Sequence, residues 1–415
     1  MAGLLTNYTA ALKEILLPYI RDNYPKETIL LDQMKRNAGV NRINDEFIAP
    51  VRTSRHGGVA ALANDGNNIV SANGATLSRG TIGVKINTGA FDLSHLQMQA
   101  SKGELAVKNS LQFQAETLTT DFGRHINRQL YSDGVGVVSQ VLGSVSGTEF
   151  SVMRPDANLD DGRSIDWYGS INGDIDPIKY LQIPNAIVGI GTAGAADGTV
   201  AAFTGTSVQL TGATATAAND AVYIEDGSGG AAGTSEIQGI RAALSSTTGT
   251  STYAGLARTT AGWLPAFGSA SEALTFKRMA DTYVSAMEYA RKSDKYIILV
   301  NKTLYNKYGD ILIAMRRTVN EANLLGGWKG LEFAAGGSVL GVFLDYDVPD
   351  GEVLIINLDT WTLCQVTDLD WLDGPGMESL HRLQNTLTYQ SVMVWYSNVL
   401  CLGPGANGRQ TRKTA

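Results

Sequence analysis

The sequence predicts an α+β protein, and three stretches carry that prediction: one long helical period, strand patterns on both sides of it, and helices alternating with buried strands after Pro265. The long period runs from Ser101 to Gly134. Ser101-Lys102-Gly103-Glu104 has the form of a capping box, in which a hydroxyl and a carboxylate satisfy free backbone amides reciprocally. Leu111, Ala115, Leu118, Phe122, Ile126 and Leu130 then recur in steps of three or four, which keeps them on one face. Lys108, Gln112, Glu116, Thr119, Asp121, Arg124 and Arg128 form the expected solvated face. Ser132-Asp133-Gly134 is the stop, with Gly134 suited to a left-handed cap. About thirty residues at roughly 1.5 Å each give a rod of roughly 45 Å. The mean globular helix has only about 11–12 residues.

Residues 1–44 hold two short amphipathic pieces. Leu12, Ile15, Leu16 and Tyr19 share a face that Pro18 interrupts, and 29–34 forms a second piece that stops near Gly39. Neither is long enough to be stable alone, so this segment reads as an arm that lies on something else. Residues 45–100 read as a long hairpin. It goes out through 47–51, crosses a polar, glycine-rich tip, and returns through Ile82, Val84 and Ile86. After Gly89 the apolar parity shifts to Phe91 and Leu93, as a bulge or bend would produce. Between Ala49 and Ala100, Arg52, Arg55, Arg79 and Lys85 against Asp65 and Asp92 give a local charge of +2 in an acidic chain.

Residues 135–270 are rich in Gly, Ala, Ser and Thr. Short strand candidates occur at 150–153, 186–190, 208–210 and 221–224, leaving room for an insertion. An acidic cluster from Asp156 to Asp176 reads as a solvated loop. Residues 271–386 read as an α/β block. Thr275 caps a helix with Phe276, Met279, Tyr283, Met287 and Ala290 on one face, 296–300 is a buried-type strand, and Asn301 caps the next helix. Strand-like runs at 339–344 and 353–358 flank a turn at 345–351. Residues 387–415 hold a last strand, with Val392, Val394 and Tyr396 alternating, and a basic tail at Arg409, Arg412 and Lys413.

The chain has 415 residues, 44% of them hydrophobic, enough for a real core. Its net charge of −7 argues against a dedicated nucleic-acid binder. Cys364 and Cys401 form no metal or redox motif, and no apolar run approaches the roughly 18 residues of a membrane span. Gly189-Ile190-Gly191-Thr192-Ala193-Gly194 matches GxGxxG, but neither the helix nor the acid of a dinucleotide site follows it. His56, His95, His125 and His381 show no ligand spacing, and His125 reads as a boundary residue of the long helix. Asp345, Asp347 and Asp350 lack the positions of a calcium loop and read as a turn. No catalytic constellation, cofactor site or metal site emerges.

The order of parts, together with several local phrases, carries a family resemblance. Pro50-Val51 followed by Arg55-His56-Gly57-Gly58 looks like the lead-in to an extended loop, and Phe91-Asp92-Leu93-Ser94 looks like its exit into a spine helix. Asp345 through Gly351 leading into 353–359, and Leu402-Gly403-Pro404-Gly405-Ala406, look like an axial strand pair and a closing strand. The chain resembles the major capsid proteins of tailed double-stranded-DNA phages, with the Hong Kong 97 fold. The resemblance implies a structural protein, not an enzyme, divided into an N-terminal arm (1–44), extended loop (45–100), spine helix (101–134), peripheral β region (135–270), axial domain (271–386) and C-terminal strand and tail (387–415). It implies hexamers and pentamers of the chain itself in an icosahedral shell, located in the virion capsid and assembled in the host cytoplasm. The enclosed DNA would be held without sequence-specific contact. A portal, a separate scaffolding protein and decoration proteins are the implied partners; the short arm is alternatively what is left after a scaffolding segment is removed. Arg52, Arg55, His56, Arg79 and Lys85 are the expected inter-subunit contacts. An encapsulin-type compartment shell or a tail component is the alternative.

Overall fold

Two short helices, Leu17–Asn23 (α1) and Ile29–Gln33 (α2), bury Leu17, Ile20, Ile29, Leu30 and Leu31 in the main core. The computed structural model describes residues 17–23, 28–54, 56–59, 61, 74–94, 104–134, 136–141, 145–153, 187–190, 198–204, 207–216, 221–224, 236–245, 252–259, 262–270, 272–291, 294–314, 321–323, 329–336, 338–349, 351–373, 381–383 and 386–414. After α2 a short strand, Lys35–Arg36 (β1), pairs in parallel with residues 361–365. Arg21–Asp370, Lys35–Asp359 and Arg36–Asp368 ion pairs, at 3.1, 2.6 and 3.2 Å, run along the same seam. The described part of the arm is therefore covered by its own subunit.

Asn41–Ile43 (β2), Glu46–Arg52 (β3) and Leu77–Gly83 (β4) form a three-stranded antiparallel sheet, with β3 and β4 as the hairpin. The next strand, Lys85–Ser94 (β5), does not continue this hairpin. It pairs over ten consecutive residues with 388–397 of the last long strand, without a register shift. This corrects the parity reading: the change falls at Val84, where the chain passes from one sheet to another, and Gly89 makes no bulge. Ile82 is buried, Ile86 is exposed, and Asn87, Phe91 and Leu93 point inward.

The long helix spans Glu104–Tyr131 (α3). Its expected start at 101–103 lies outside the described residues. At the other end Gly134 has φ +88°, and its N–H donates to Ser132 Oγ, closing the helix as the cap predicts. Phe122, Ile126 and Leu130 are buried and Leu118 packs beside them, so the stripe from Leu118 to Leu130 is where the period put it; the side chains of Leu111 and Ala115 lie outside the described residues. It rests on β5 and on the last long strand: Phe122 meets the Trp395 ring edge-on, and a Cβ on Gly89 would come 3.1 Å from Leu118 Cδ1. The stripe thus lies on a sheet built from both ends of the chain.

Val137–Val141 (β6), Val145–Met153 (β7), Ile187–Ile190 (β8), Gly198–Thr204 (β9), Ser207–Thr216 (β10) and Ala221–Ile224 (β11) close into a six-stranded barrel. All four expected strands fall within it. β8 pairs antiparallel with β9; the rest of the glycine run, 191–194, lies outside the described residues. The acidic cluster from Asp156 to Asp176 lies outside the described residues.

A short helix, Ile240–Ala243 (α4), and a tight hairpin, Thr252–Tyr253 (β12) with Leu256–Ala257 (β13), lead to the second core. Here come Ala266–Gly268 (β14), Glu272–Ala273 (β15), Phe276–Met287 (α5), Tyr296–Val300 (β16), Lys302–Ala314 (α6), Glu321–Asn323 (β17), Lys329–Ala335 (β18), Ser338–Leu344 (β19) and Val353–Asn357 (β20). Both expected caps form, Thr275 Oγ1 accepting from Arg278 N–H and Asn301 Oδ1 from Leu304 N–H. The five buried residues of β16 pair antiparallel with β20, and Ile297 to Val300 also pair in parallel with β19. Met279, Tyr283, Leu304 and Tyr308 pack on one face of that sheet with Ile298 and Val300.

The chain ends with Trp361–Gln365 (β21), Asp370–Trp371 (β22), His381–Arg382 (β23), Thr388–Cys401 (β24), Gly408–Gln410 (β25) and Lys413–Thr414 (β26). β24 is the hub of a six-stranded sheet, paired with β5, β21, β22 and β23. The alternation of Val392, Val394 and Tyr396 lies on one face of β24, and the opposite row, Met393 and Trp395, is fully buried and faces the helix. The basic tail is also corrected. β25 enters the seven-stranded sheet between β14 and β20, β26 pairs with β15, and Arg409 and Lys413 are buried.

Candidate assembly surface and the buried junction behind it

In the hairpin, alternation separates a buried face from an exposed one. Phe47, Ala49, Val51 and Ile82 face the core, and the Thr81 N–H donates to Ala254 O of the β12–β13 turn. The other face presents Pro50, Arg52, Leu77 and Arg79, all exposed. In the register Pro50 opposes Arg79 and Arg52 opposes Leu77, so the two arginines are diagonal neighbours on one surface. Leu77 and Ile43, at 68% and 52% exposure, add apolar area to this basic strip. The ladder ends one step farther out, where Thr53 N–H donates to Thr76 O.

Among the described residues, Arg52 and Arg79 are the expected contact residues that lie together. His56 sits just beyond the ladder, exposed, its Nδ1 accepting from Gly58 N–H. Lys85 is half-buried at the start of β5, opposite Ser397, and burial holds its ammonium below the usual lysine range. Arg55 lies outside the described residues.

Behind the hairpin, the last two turns of α3 enter a polar junction that helical periodicity does not reveal. Arg128, expected on the solvated face, is fully buried and pairs with Glu236, 108 residues away. Gln129 donates from Nε2 to Asn87 Oδ1 at 2.8 Å and to His125 Nε2 at 2.7 Å, and its Oε1 accepts from Ile237 N–H. Because Gln129 Nε2 can only donate, His125 Nε2 must accept, which fixes the neutral ring. Burial, then the Arg128 charge, lowers His125 to about 4. Asn398 ties the same region to the hairpin, accepting from Gln238 N–H and donating to Gly83 O.

On the other side of α3, Asn127 and Tyr131 reach Asp345 and Asp347, which the sequence reading left in a turn. Asn127 Nδ2 donates to Asp345 Oδ1 at 3.2 Å and to Asp347 Oδ2 at 2.6 Å, and Tyr131 OH donates to Asp345 Oδ2 at 2.8 Å. Farther along, Glu352 accepts from Arg241 Nη2 at 2.8 Å and from Arg409 Nε and Nη2 at 3.0 and 2.7 Å. Burial alone would push the Glu352 carboxyl up; the two guanidiniums overcome this and hold it below its usual value. Asn407 explains the closing Gly-Pro-Gly phrase: its amide accepts from Asn357 N–H and Trp361 Nε1 and donates to Gly403 O.

These contacts position strands and helices; they present no open chemical site. Among the described residues no group of three or more His, Cys, Asp or Glu side chains could hold a metal, and no helix is long and apolar enough to cross a membrane. Both cysteines are free and buried, and burial pushes each thiol up to about 12, where thiolate chemistry stops.

Solved capsid and shell structures share features of this fold. A chain of the cyanophage A-1(L) capsid asymmetric unit matches with a TM-score of 0.53, over 94% of this chain and 94% of its own, at 12% identity. A chain from the capsid of the native GTA particle matches at TM-score 0.45 and 11% identity, over 93% of this chain and 90% of its own. A chain of the SrpI encapsulin complex from Synechococcus elongatus PCC 7942 matches 36% of this chain and 53% of its own, at TM-score 0.27 and 11% identity. No family model and no curated protein sequence matches.

Proposed function

We propose that this chain is the major capsid protein of a tailed double-stranded-DNA phage. The observation that carries the reading is the capsid-subunit fold, shared with the cyanophage chain over 94% of both. The Hong Kong 97 division describes it: hairpin as extended loop, α3 as spine, the seven-stranded sheet as axial domain, and the barrel as an insertion in the peripheral region. Copies assemble as hexamers and pentamers through the axial domain, and the outer hairpin face, with Arg52, Arg79 and Leu77, lies on the adjacent subunit. Arg55 and His56 extend that contact toward the tip, and Lys85 serves at its base. Exposed ion pairs contribute only about 0–1 kcal/mol each, so stability comes from repetition across the shell.

The role is mechanical and needs no cofactor. Assembly takes place in the host cytoplasm, with a portal and a separate scaffolding protein, and decoration proteins join the shell. The net charge of −7 suits a container whose DNA must not adhere to the wall. Sedimentation of the purified chain with its scaffold tests this. Capsomers or shells are expected, and a strictly monomeric species at high concentration contradicts it.

A further inference from the structure

We propose that Asp345 and Asp347 form a proton-operated latch between the end of the spine helix and the axial sheet. The latch is tight when the pair holds one proton and loosened when both carboxyls are ionised.

The geometry comes from two elements. Asp345 follows β19, and its N–H donates to Val300 O at the end of β16, so the acid is anchored to the centre of the axial sheet. Its Oδ1 accepts from Asp347 N–H at 3.0 Å, which folds the second acid back beside the first. From the helix, Asn127 and Tyr131 stand four residues apart and so reach out from one face. All four side chains are buried, at 7%, 6%, 4% and 0% exposure for Asp345, Asp347, Asn127 and Tyr131. A single amide nitrogen, Asn127 Nδ2, touches both carboxyls.

Two carboxylates held this close in a buried place cannot both ionise cheaply. With one proton on the pair, a single negative charge faces the donors of Asn127 and Tyr131. With none, two like charges repel inside the contact that joins helix to sheet. The groups that act on Asp345 are the Asp347 carboxyl on its own loop and the Tyr131 hydroxyl and Asn127 amide on the helix; burial, then Asp347, raises it from 3.8 to about 6. Burial, then the Asp345 charge, raises Tyr131 as well, so it stays a donor throughout. A carboxyl raised on folding adds stability below its unfolded value and loses it as pH rises through the window from 3.8 to about 6. Acid therefore tightens this latch, and the effect belongs to the subunit whether free or assembled.

Hydrogen exchange at the amides of residues 127–131, corrected for the intrinsic chemical rate, reads the latch in the intact chain. Between about pH 5 and about pH 7 their protection should fall roughly tenfold, and Asp345→Asn should flatten that dependence. Tyr131→Phe, which removes a donor to the ionised form, should move the midpoint upward. Equal pH dependence in the wild type and Asp345→Asn overturns the proposal. Should Asp345→Asn fail to fold, infrared spectroscopy of the wild-type chain decides. One buried protonated carboxyl must disappear between about pH 5 and about pH 7, and its absence overturns the proposal equally.

Discussion

Gly239 crosses the long helix α3 at the carbonyl oxygen of Leu130, with no room for a Cβ between them. Its φ of −80° is open to any residue, so space alone requires glycine here. The crossing lets the 236–245 strap lie on the last turn of α3, where Glu236 meets Arg128 and Ile237 meets Gln129. Gly239→Ala must push the strap off that turn, at a cost of about 1–3 kcal/mol or more. Chemical denaturation of the subunit measures it, and an unchanged midpoint would show that the strap yields freely.

Glu352 is the second point of dependence. Glu352→Gln leaves Arg241 and Arg409 buried without their carboxylate, and removing one partner of a buried pair costs about 3–5 kcal/mol. The pH profile gives the mechanism. Because this carboxyl is held below its usual value, its stabilising effect is present above the unfolded value of 4.5 and is lost as pH falls through the lower folded value. Acid unfolding followed by circular dichroism should show this loss in the wild type and less of it in Glu352→Gln. Parallel curves would mean that the triad contributes nothing through its charge.

Much of this was legible from local pattern. The stripe from Leu118 to Leu130, the caps at Thr275 and Asn301, the left-handed Gly134 and the buried strand at 296–300 follow from period and cap chemistry within a few residues. What escaped depends on distant partners. Arg128 looks solvated until Glu236 is brought beside it. Asp345 and Asp347 look like a turn until α3 lies against them. Ile86 keeps the period of the returning strand, yet β24, some 300 residues later, decides which face of β5 is buried, and it selects Asn87. The basic tail was misread for the same reason: nothing near Arg409 in sequence announces Glu352.

The corrected tail makes its own prediction. Removing residues 408–414 takes β25 out from between β14 and β20 and takes Arg409 from Glu352. A free flexible tail could be lost without effect. Here the truncated chain should lose its cooperative melt or be destabilised by more than about 4 kcal/mol. A thermal transition equal to that of the full chain would contradict the sheet order.

The aromatic contact beneath α3 is testable in the same way. Trp395 is fully buried on β24 and meets Phe122 with ring centroids 6.4 Å apart. Trp395→Ala should cost about 3–5 kcal/mol, whereas Val392→Ala on the opposite, half-buried face should cost less. Similar costs at the two positions would mean that the helix does not rest on the Trp395 face.

The hairpin tip separates folding from assembly. Replacing residues 57–73 with a short glycine turn leaves the β3–β4 ladder and its terminal Thr53–Thr76 bond in place. The subunit should keep its thermal transition and fail to form shells by sedimentation. A variant that unfolds instead would place the tip in the core, and one that assembles normally would remove it from the subunit contact.

Electron microscopy of the purified, expressed chain tests the central claim most directly. The account predicts closed icosahedral shells, or rings of five and six subunits, with the Arg52–Arg79 face of each hairpin lying on the neighbouring subunit. A field of monomers at high concentration with scaffold present, or an ordered assembly in which that face meets only solvent, would contradict it.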